Sequence, residues 1–294
     1  TAPYSVDYDF IMGDRMDDLQ AGINIMSTLI DKPINFSTTH KKDTRFTNLN
    51  NVEIYNIKGV HPSGNESFQI NKIDPLNFGE TIWVIKPEDL SNIGAFFRTG
   101  IFSSSRTVAI SGDSLKSPKY YSTIIGASIS SLINSDELND INNYRFINGV
   151  PLSGSKVDYS EFLGFYNNSL SVIEEGNNYR MLGWLPFMYN SIPSFSKTSF
   201  SWLLGGAKKV NTNLNGEERA IVVTGEMEKY FPMDIFPMQL IKACMRGDIE
   251  KMESLGIYEV IPEDFGLVDF SCTSKIEAQE IIKSGIEIML KEVG

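Results

Sequence analysis

The sequence is short of the residues that carry most redox, metal and nucleophilic chemistry. Only two cysteines and two histidines occur among its 294 residues. Cys244 and Cys272 make neither a C-x-x-C pair nor a disulfide framework, which fits a reducing, cytoplasmic setting. Both read as buried apolar fillers rather than reactive thiols. The chain has no H-E-x-x-H and no histidine pair at helical spacing, so nothing in it spells a zinc site. Neither His40, in the loop "TTHKKD", nor His61, in "GVHPSGNES", is accompanied by a G-x-S-x-G elbow, and hydrolase chemistry has little support.

Basic charge is also scarce. Lys and Arg number 26 against 37 Asp and Glu, giving a formal net charge of −11. That balance argues against a nucleic-acid binder, which needs clustered positive charge, and against a polybasic lipid-binding face. No run of about 18 apolar residues exists to form a membrane-spanning helix, and the N-terminus has no signal-peptide pattern. The opening "TAPYSVDYDFIMGD" lacks an initiating Met and turns strand-like at once, so an N-terminal portion of a longer protein is expected to be missing.

Glycine is sparse where a dinucleotide would need it. The junction "IMGDRMDD" offers Gly13 alone where a pyrophosphate requires G-x-G-x-x-G, and Asp14, Asp17 and Asp18 would repel the phosphates. "GGAKKV" (205–210) lacks P-loop spacing.

What is present is a succession of distinct patterns. Residues 8–14 read as a buried strand and 14–31 as a helix with Leu19, Ile23, Met26 and Ile30 on one stripe. "PINFSTT" and "VEIYNIKG" alternate like strands. "ETIWVIKPEDLSNIGAFFRTG" (80–100) reads as a strand followed by a helix from Pro87. Strands alternating with helices predict a Rossmann-like α/β domain over 1–103. From 104 to 176, short strands separated by Gly and Pro, with one short helix, outline a small β-grasp module. Residues 177–230, rich in aromatics, Ser, Asn and Gly, are expected to be an extended connector. Residues 231–294 carry helical periodicity. The chain is thus expected to be multidomain, mixing α/β and α+β units with a C-terminal helical domain.

The segment "YEVIPEDFGLVDFSCTSKIEAQ" (258–279) has the rhythm of an iron–sulfur cradle. A four-iron cluster needs four thiolates. Pro, Glu, Gly and Val occupy the places ahead of Cys272 where thiolates could sit, and Cys244 cannot make up the number. The carboxylates Glu263, Asp264 and Asp269 cluster here, as solvated acidic turns also do.

These residues carry a resemblance. The run Gly225, Glu228, Lys229, Pro232, Asp234, Pro237, followed by Gly247-Asp248, Leu255-Gly256, Glu263-Asp264 and Cys272, is similar to the C-terminal region of the A subunit of the sodium-translocating NADH:quinone oxidoreductases. "GVHPSG" (59–64), "RTVAISGDSLKSPKYYSTIIGASISSLI", "GVPLSGSK" and "SVIEEG" match the same family in the same order. Val268 and Thr273 stand where that family often has Cys and Pro. Pro62, Gly64 and Glu66 further resemble a P-x-G-x-E turn shared by the Rnf C subunit with the flavin-binding subunit of complex I, two relatives of the same architecture.

The resemblance implies a Rossmann-like domain, a β-grasp domain of the soluble-ligand-binding type and a helical domain with a degenerate cradle. It implies a peripheral subunit on the cytoplasmic side of the bacterial inner membrane, docked to membrane subunits of a respiratory sodium pump. No cofactor is expected in this chain, with NAD, flavin and iron–sulfur carried by partner subunits. Quinone contacts are expected from His61 and from Trp184, Phe187 and Tyr189 of the aromatic stretch 184–202, although for each residue taken singly the packing of a rigid turn or a long connector is the more ordinary reading. Two other readings stand beside this one: an assembly scaffold that binds no small molecule, and an independent flavin or iron–sulfur electron carrier, whose ligands are not found.

Overall fold

The computed structural model describes residues 1–39, 45–134, 138, 140–183, 185, 193, 203, 209–222 and 224–293. The chain opens with two helices, α1 (Tyr8–Met12) and α2 (Met16–Leu29). The expected strand over 8–14 is therefore a helical turn. Asp7 caps it by accepting the Asp9 N–H at 3.0 Å, and Ile11 and Met12 are buried. In α2, Leu19 and Ile23 are fully buried while Ile30, at the C-cap, is exposed. Asp17 and Asp18 in its first turn suit the positive end of the helix dipole.

β1 (Asn35–Thr39) and β2 (Glu53–Ile57) follow as a parallel pair in the register Asn35 to Glu53 through Thr39 to Ile57. Next come α3 (Glu66–Ile73) and α4 (Pro87–Thr99). The run after the His61 turn, which reads as strand-like in sequence, is thus the helix α3. The strand expected ahead of Pro87 does not form: residues 80–86 take no regular secondary structure and join no ladder among the described residues. α4 starts with Pro87 in its first turn and ends at Gly100 in the left-handed region (φ 73°), the usual helix punctuation. α2 and α4 cross closely because Gly22 and Gly94 carry no Cβ. One on Gly94 would run into the Asp18 carbonyl oxygen.

The second unit is a five-stranded sheet: β3 (Ser105–Ser111), β4 (Lys119–Ile124), β5 (Tyr144–Asn148), β6 (Ser155–Val157) and β7 (Ser169–Glu174). Their order is β4-β3-β7-β5-β6, antiparallel throughout except for the β3–β7 pair. The short helix α5 (Ile129–Leu132) lies against it, with Val108, Ile129, Phe146, Leu170 and Val172 in the core. This is the β-grasp arrangement the strand rhythm predicts.

The C-terminal unit is helical: α6 (Pro237–Arg246), α7 (Ile249–Ser254), α8 (Gly266–Ser271) and α9 (Ala278–Val293). Its core gathers Met238, Leu240, Ile241, Met252, Phe265 and Ile282.

Polar staples fix these units to one another. Arg106 on β3 and Glu88 on α4 are each 1% exposed and ion-paired at 3.2 Å. The same guanidinium reaches Asp89 at 2.8 Å and donates to the Phe165 carbonyl at 3.2 Å. The Thr107 N–H donates to Glu88 at 3.1 Å. Gln279 on α9 donates to the Leu152 carbonyl of the β-grasp unit at 2.9 Å.

Candidate functional site

The turn between β2 and α3 holds the one candidate residue that lies among those described, His61. Trp184, Phe187 and Tyr189, like His40, lie outside the described residues. Gly59 permits the turn with its φ of 135°. Backbone hydrogen bonds close it, from Ser63 N–H to the Val60 carbonyl at 3.0 Å and from Asn65 N–H to the Pro62 carbonyl at 2.8 Å. The Gly64 N–H donates to the Thr1 hydroxyl at 2.9 Å, and Gln69 donates to the Gly64 carbonyl at 3.0 Å.

A buried carboxylate locks this turn onto the helical unit. Asp264, 2% exposed, accepts from the Ser67 hydroxyl at 2.6 Å and from the Asn65 amide at 2.9 Å. It also accepts from the Ile261 N–H at 3.0 Å. Burial pushes its pKa above the usual carboxylate range, against the pull of those hydrogen bonds. Asp269 plays a similar structural part. It accepts from the Ala278 N–H at 2.6 Å and the Gln279 amide at 2.8 Å, holding the start of α9. Glu263, the third carboxylate of the sequence cluster, meets the turn only through its carbonyl, which accepts from Asn65 at 3.3 Å.

Against this saturated clamp, the tip of the turn stands out. Both ring nitrogens of His61 and the hydroxyl of Ser63 are shielded from solvent yet have no hydrogen-bond partner among the described residues. Shielded polar atoms are nearly always paired, so three together mark a place where a partner is wanted. Burial lowers the His61 pKa from its ordinary value. The imidazole is therefore neutral at pH 7, with one nitrogen a donor and the other an acceptor.

At the opposite end of α3 lies an open, mostly apolar groove of ≈ 370 Å³. The Phe78 loop forms one wall, and Ile257, Tyr258, Ile261, Met289 and Leu290 of the helical unit form the other. Phe78 meets Tyr258 edge-on with ring centroids 5.6 Å apart. The Tyr258 hydroxyl donates to Glu253 at 2.6 Å, and its pKa is pushed up to about 12.

The cysteines take no part in either place. Both are buried. Cys244 faces Gly285 of α9, where a Cβ would collide with its sulfur, and burial raises its thiol to about 11. Among the described residues, no group of three or more His, Cys, Asp or Glu is placed to hold a metal ion.

Comparison with known proteins gives this arrangement a family. Residues 1–102 match the NqrA second alpha/beta domain, and residues 107–158 match the NQRA C-terminal domain. Relatives named as the A subunit of Na(+)-translocating NADH-quinone reductase align along nearly the whole chain. One from Neisseria meningitidis serogroup C is 31% identical over 293 residues, and one from Haemophilus influenzae strain PittGG is 32% identical over 299 residues. The chain belongs to the NqrA family. In both alignments 99% of this chain is matched, and it spans 65% of the relative's length. Membership accounts for the order of units: an α/β domain, then the β-grasp sheet of the SLBB match. Among the described residues, no helix is long and apolar enough to cross a membrane.

Sequence reasoning singled out His61 because Pro and Gly fix its loop. It missed Ser63, whose hydroxyl is shielded without a partner, Ser67, whose role depends on Asp264 far away in the chain, and Tyr258, whose groove exists only once the Phe78 loop meets α9 and the 257–261 segment.

Proposed function

We propose that this chain serves as the peripheral part of the A subunit in a sodium-translocating NADH:quinone reductase, on the cytoplasmic side of the bacterial inner membrane. It docks partner subunits, including membrane subunits, and contributes a quinone contact while holding no cofactor of its own. NAD, flavin and iron–sulfur belong to the partners on this reading. The observation that carries the quinone contact is the neutral, shielded and unpartnered imidazole of His61. A neutral imidazole donates to a quinone carbonyl and accepts from a quinol hydroxyl, so one side chain serves both redox states of the headgroup. Ser63 offers a second hydroxyl partner. Trp184, Phe187 and Tyr189 supply the apolar surface that quinone sites combine with a few oriented polar groups.

The second reading, a scaffold that binds no small molecule, draws on the staples: Arg106–Glu88, Ser67–Asp264 and Gln279–Leu152 each join separate units. Ligand-observed NMR of a short-tail quinone with the purified chain, competed by excess of the same headgroup, separates the two. Saturable, competed transfer that weakens in His61→Ala supports the quinone contact. Its absence, both for the chain alone and for the assembled complex, leaves the scaffold reading. The chain by itself is expected to reduce no quinone with NADH, since the electron-carrying groups lie in the partners.

A further inference from the structure

The groove between the Phe78 loop and the helical unit has the form of an open apolar trough. Ile286, Met289 and Leu290 recur at three- and four-residue steps, so they make one stripe along α9. Tyr258 and Ile261 continue that wall, and Phe78 faces it. Leu290 is 68% and Phe78 62% exposed, so both lips of the groove keep a large apolar side chain in water. At ≈ 370 Å³ the space is in the range of ligand sites. None of its lining residues, however, carries a shielded polar atom in want of a partner, and small-molecule sites depend on a few such oriented groups. An open trough walled by a helical stripe instead suits a second helix laid along it.

The rim carries negative charge, fixed largely by neutral donors. Glu80 accepts from the Asn77 N–H at 2.9 Å and from the Asn77 amide at 3.2 Å. Glu253 accepts from the Tyr258 hydroxyl at 2.6 Å, and Glu259 accepts from the Asn71 amide of α3. Glu287 stands exposed beside Ile286 on α9. Among the described residues, none of these carboxylates is in an ion pair. Of the cations nearby, Lys283 pairs with Glu280 at 3.7 Å and Lys72 lies 5.7 Å over the Phe68 ring, while Lys291 ends the stripe of α9. Carboxylates in excess around an apolar floor repel an anionic occupant and favour a cationic one.

We infer that this groove docks an amphipathic helix of a partner subunit, one whose apolar stripe is flanked by Lys or Arg. Its apolar side chains fill the space between Phe78 and Leu290, and its cations meet Glu80, Glu253, Glu259 and Glu287 at the rim. The inference rests on the partner docking proposed above and is independent of the quinone contact.

Two measurements test it. In the first, a labelled helical peptide with a Leu stripe flanked by Lys is titrated into the chain, beside a counterpart carrying Glu in place of Lys. Saturable binding of the Lys peptide is expected, with the Glu peptide weaker by about tenfold or more. Leu290→Asp, a change at an exposed position, should also weaken the Lys peptide by about tenfold, as loss of an anchor does. Mere attraction of a cation to an acidic protein would instead strengthen in Leu290→Asp, and that result overturns the inference. Equal binding of the two peptides, or no binding, overturns it as well. So does a wild-type chain that self-associates while Leu290→Asp does not, which would assign the groove to a second copy.

In the second measurement, Leu290→p-benzoylphenylalanine is photo-crosslinked in the assembled complex. A crosslink to a partner segment with Lys or Arg on either side of an apolar stripe is expected. A crosslink to any other kind of segment, or none in a complex that retains this chain, overturns the groove as a docking site and leaves subunit membership standing. A chain that takes the peptide but co-purifies with no subunit overturns the docking reading itself, and the partner with it.

Discussion

The hydroxyl of Ser67 sits 2.6 Å from each carboxylate oxygen of Asp264, a residue 197 positions further along the chain. One short side chain at the start of α3 thereby ties the His61 turn to the helical unit. Ser67→Ala leaves a buried carboxylate short of a donor and should destabilise the protein by about 1–3 kcal/mol. Chemical denaturation at pH 7 measures this directly; a change near zero would mean that the clamp is not closed in solution.

Asp264 also sets a pH dependence. Its folded pKa is raised, so the folded state holds this proton more tightly than the unfolded chain does. Its contribution to stability is greatest below the ordinary aspartate value and declines as pH rises through the raised one. Asp264→Asn should remove that decline from the stability–pH curve, leaving the acidic limb otherwise like the wild type.

Arg106 and Glu88 form the opposite kind of pair, two opposite charges both out of water. Arg106→Met strands the Glu88 carboxylate and should cost about 3–5 kcal/mol. The double variant Arg106→Met/Glu88→Leu should recover a substantial part of the loss, since both charges then leave the interior. Denaturation of the two single variants and the double one closes the cycle. Equal losses in Arg106→Met and the double variant would show that the arginine acts through Asp89 and the Phe165 carbonyl rather than through Glu88.

Glu175 titrates in the reverse direction to Asp264. Hydrogen bonding from Arg145 holds it down at about 2, with Thr212 and the charge of Lys156 helping. A depressed carboxylate stabilises the fold above its unfolded pKa, and the contribution disappears as pH falls through the folded value. The melting-temperature gap between wild type and Glu175→Gln should be widest near neutrality and close between about pH 4.5 and pH 2. A gap constant across that range would place the effect elsewhere.

Where local chemistry decides structure, the sequence is readable. Pro87 and Gly100 bracket α4, Pro237 and Gly247 bracket α6, and alternation with Gly and Pro marks the β-grasp strands. Reading fails where distant contacts decide. Tyr8–Met12 is apolar enough for a strand, but the Asp7 cap and packing of Met12 beneath Ser91 of α4 make it helical. The run into α3 alternates through Phe68 and Ile70, yet Asp264 receives its first turn and Phe68 packs on the helical core, as a helix face does. Residues 80–86 have a strand's composition without a neighbour to pair with. The same division holds at the site: the His61 turn is legible from its Pro and Gly, whereas its unpaired nitrogens follow from burial that no short stretch encodes.

The central claim is that His61 meets a quinone. With only two histidines in the chain, a His40→Gln background leaves one imidazole, whose ring resonances can be followed by NMR as a short-chain ubiquinone is added. A saturable shift of those resonances is expected at pH 7, weakening as pH falls below 6.5 and the ring gains its proton; the folded pKa lies below that ordinary value. Ring resonances unmoved by quinone at saturating concentration, in the chain and in the assembled complex alike, would contradict the account.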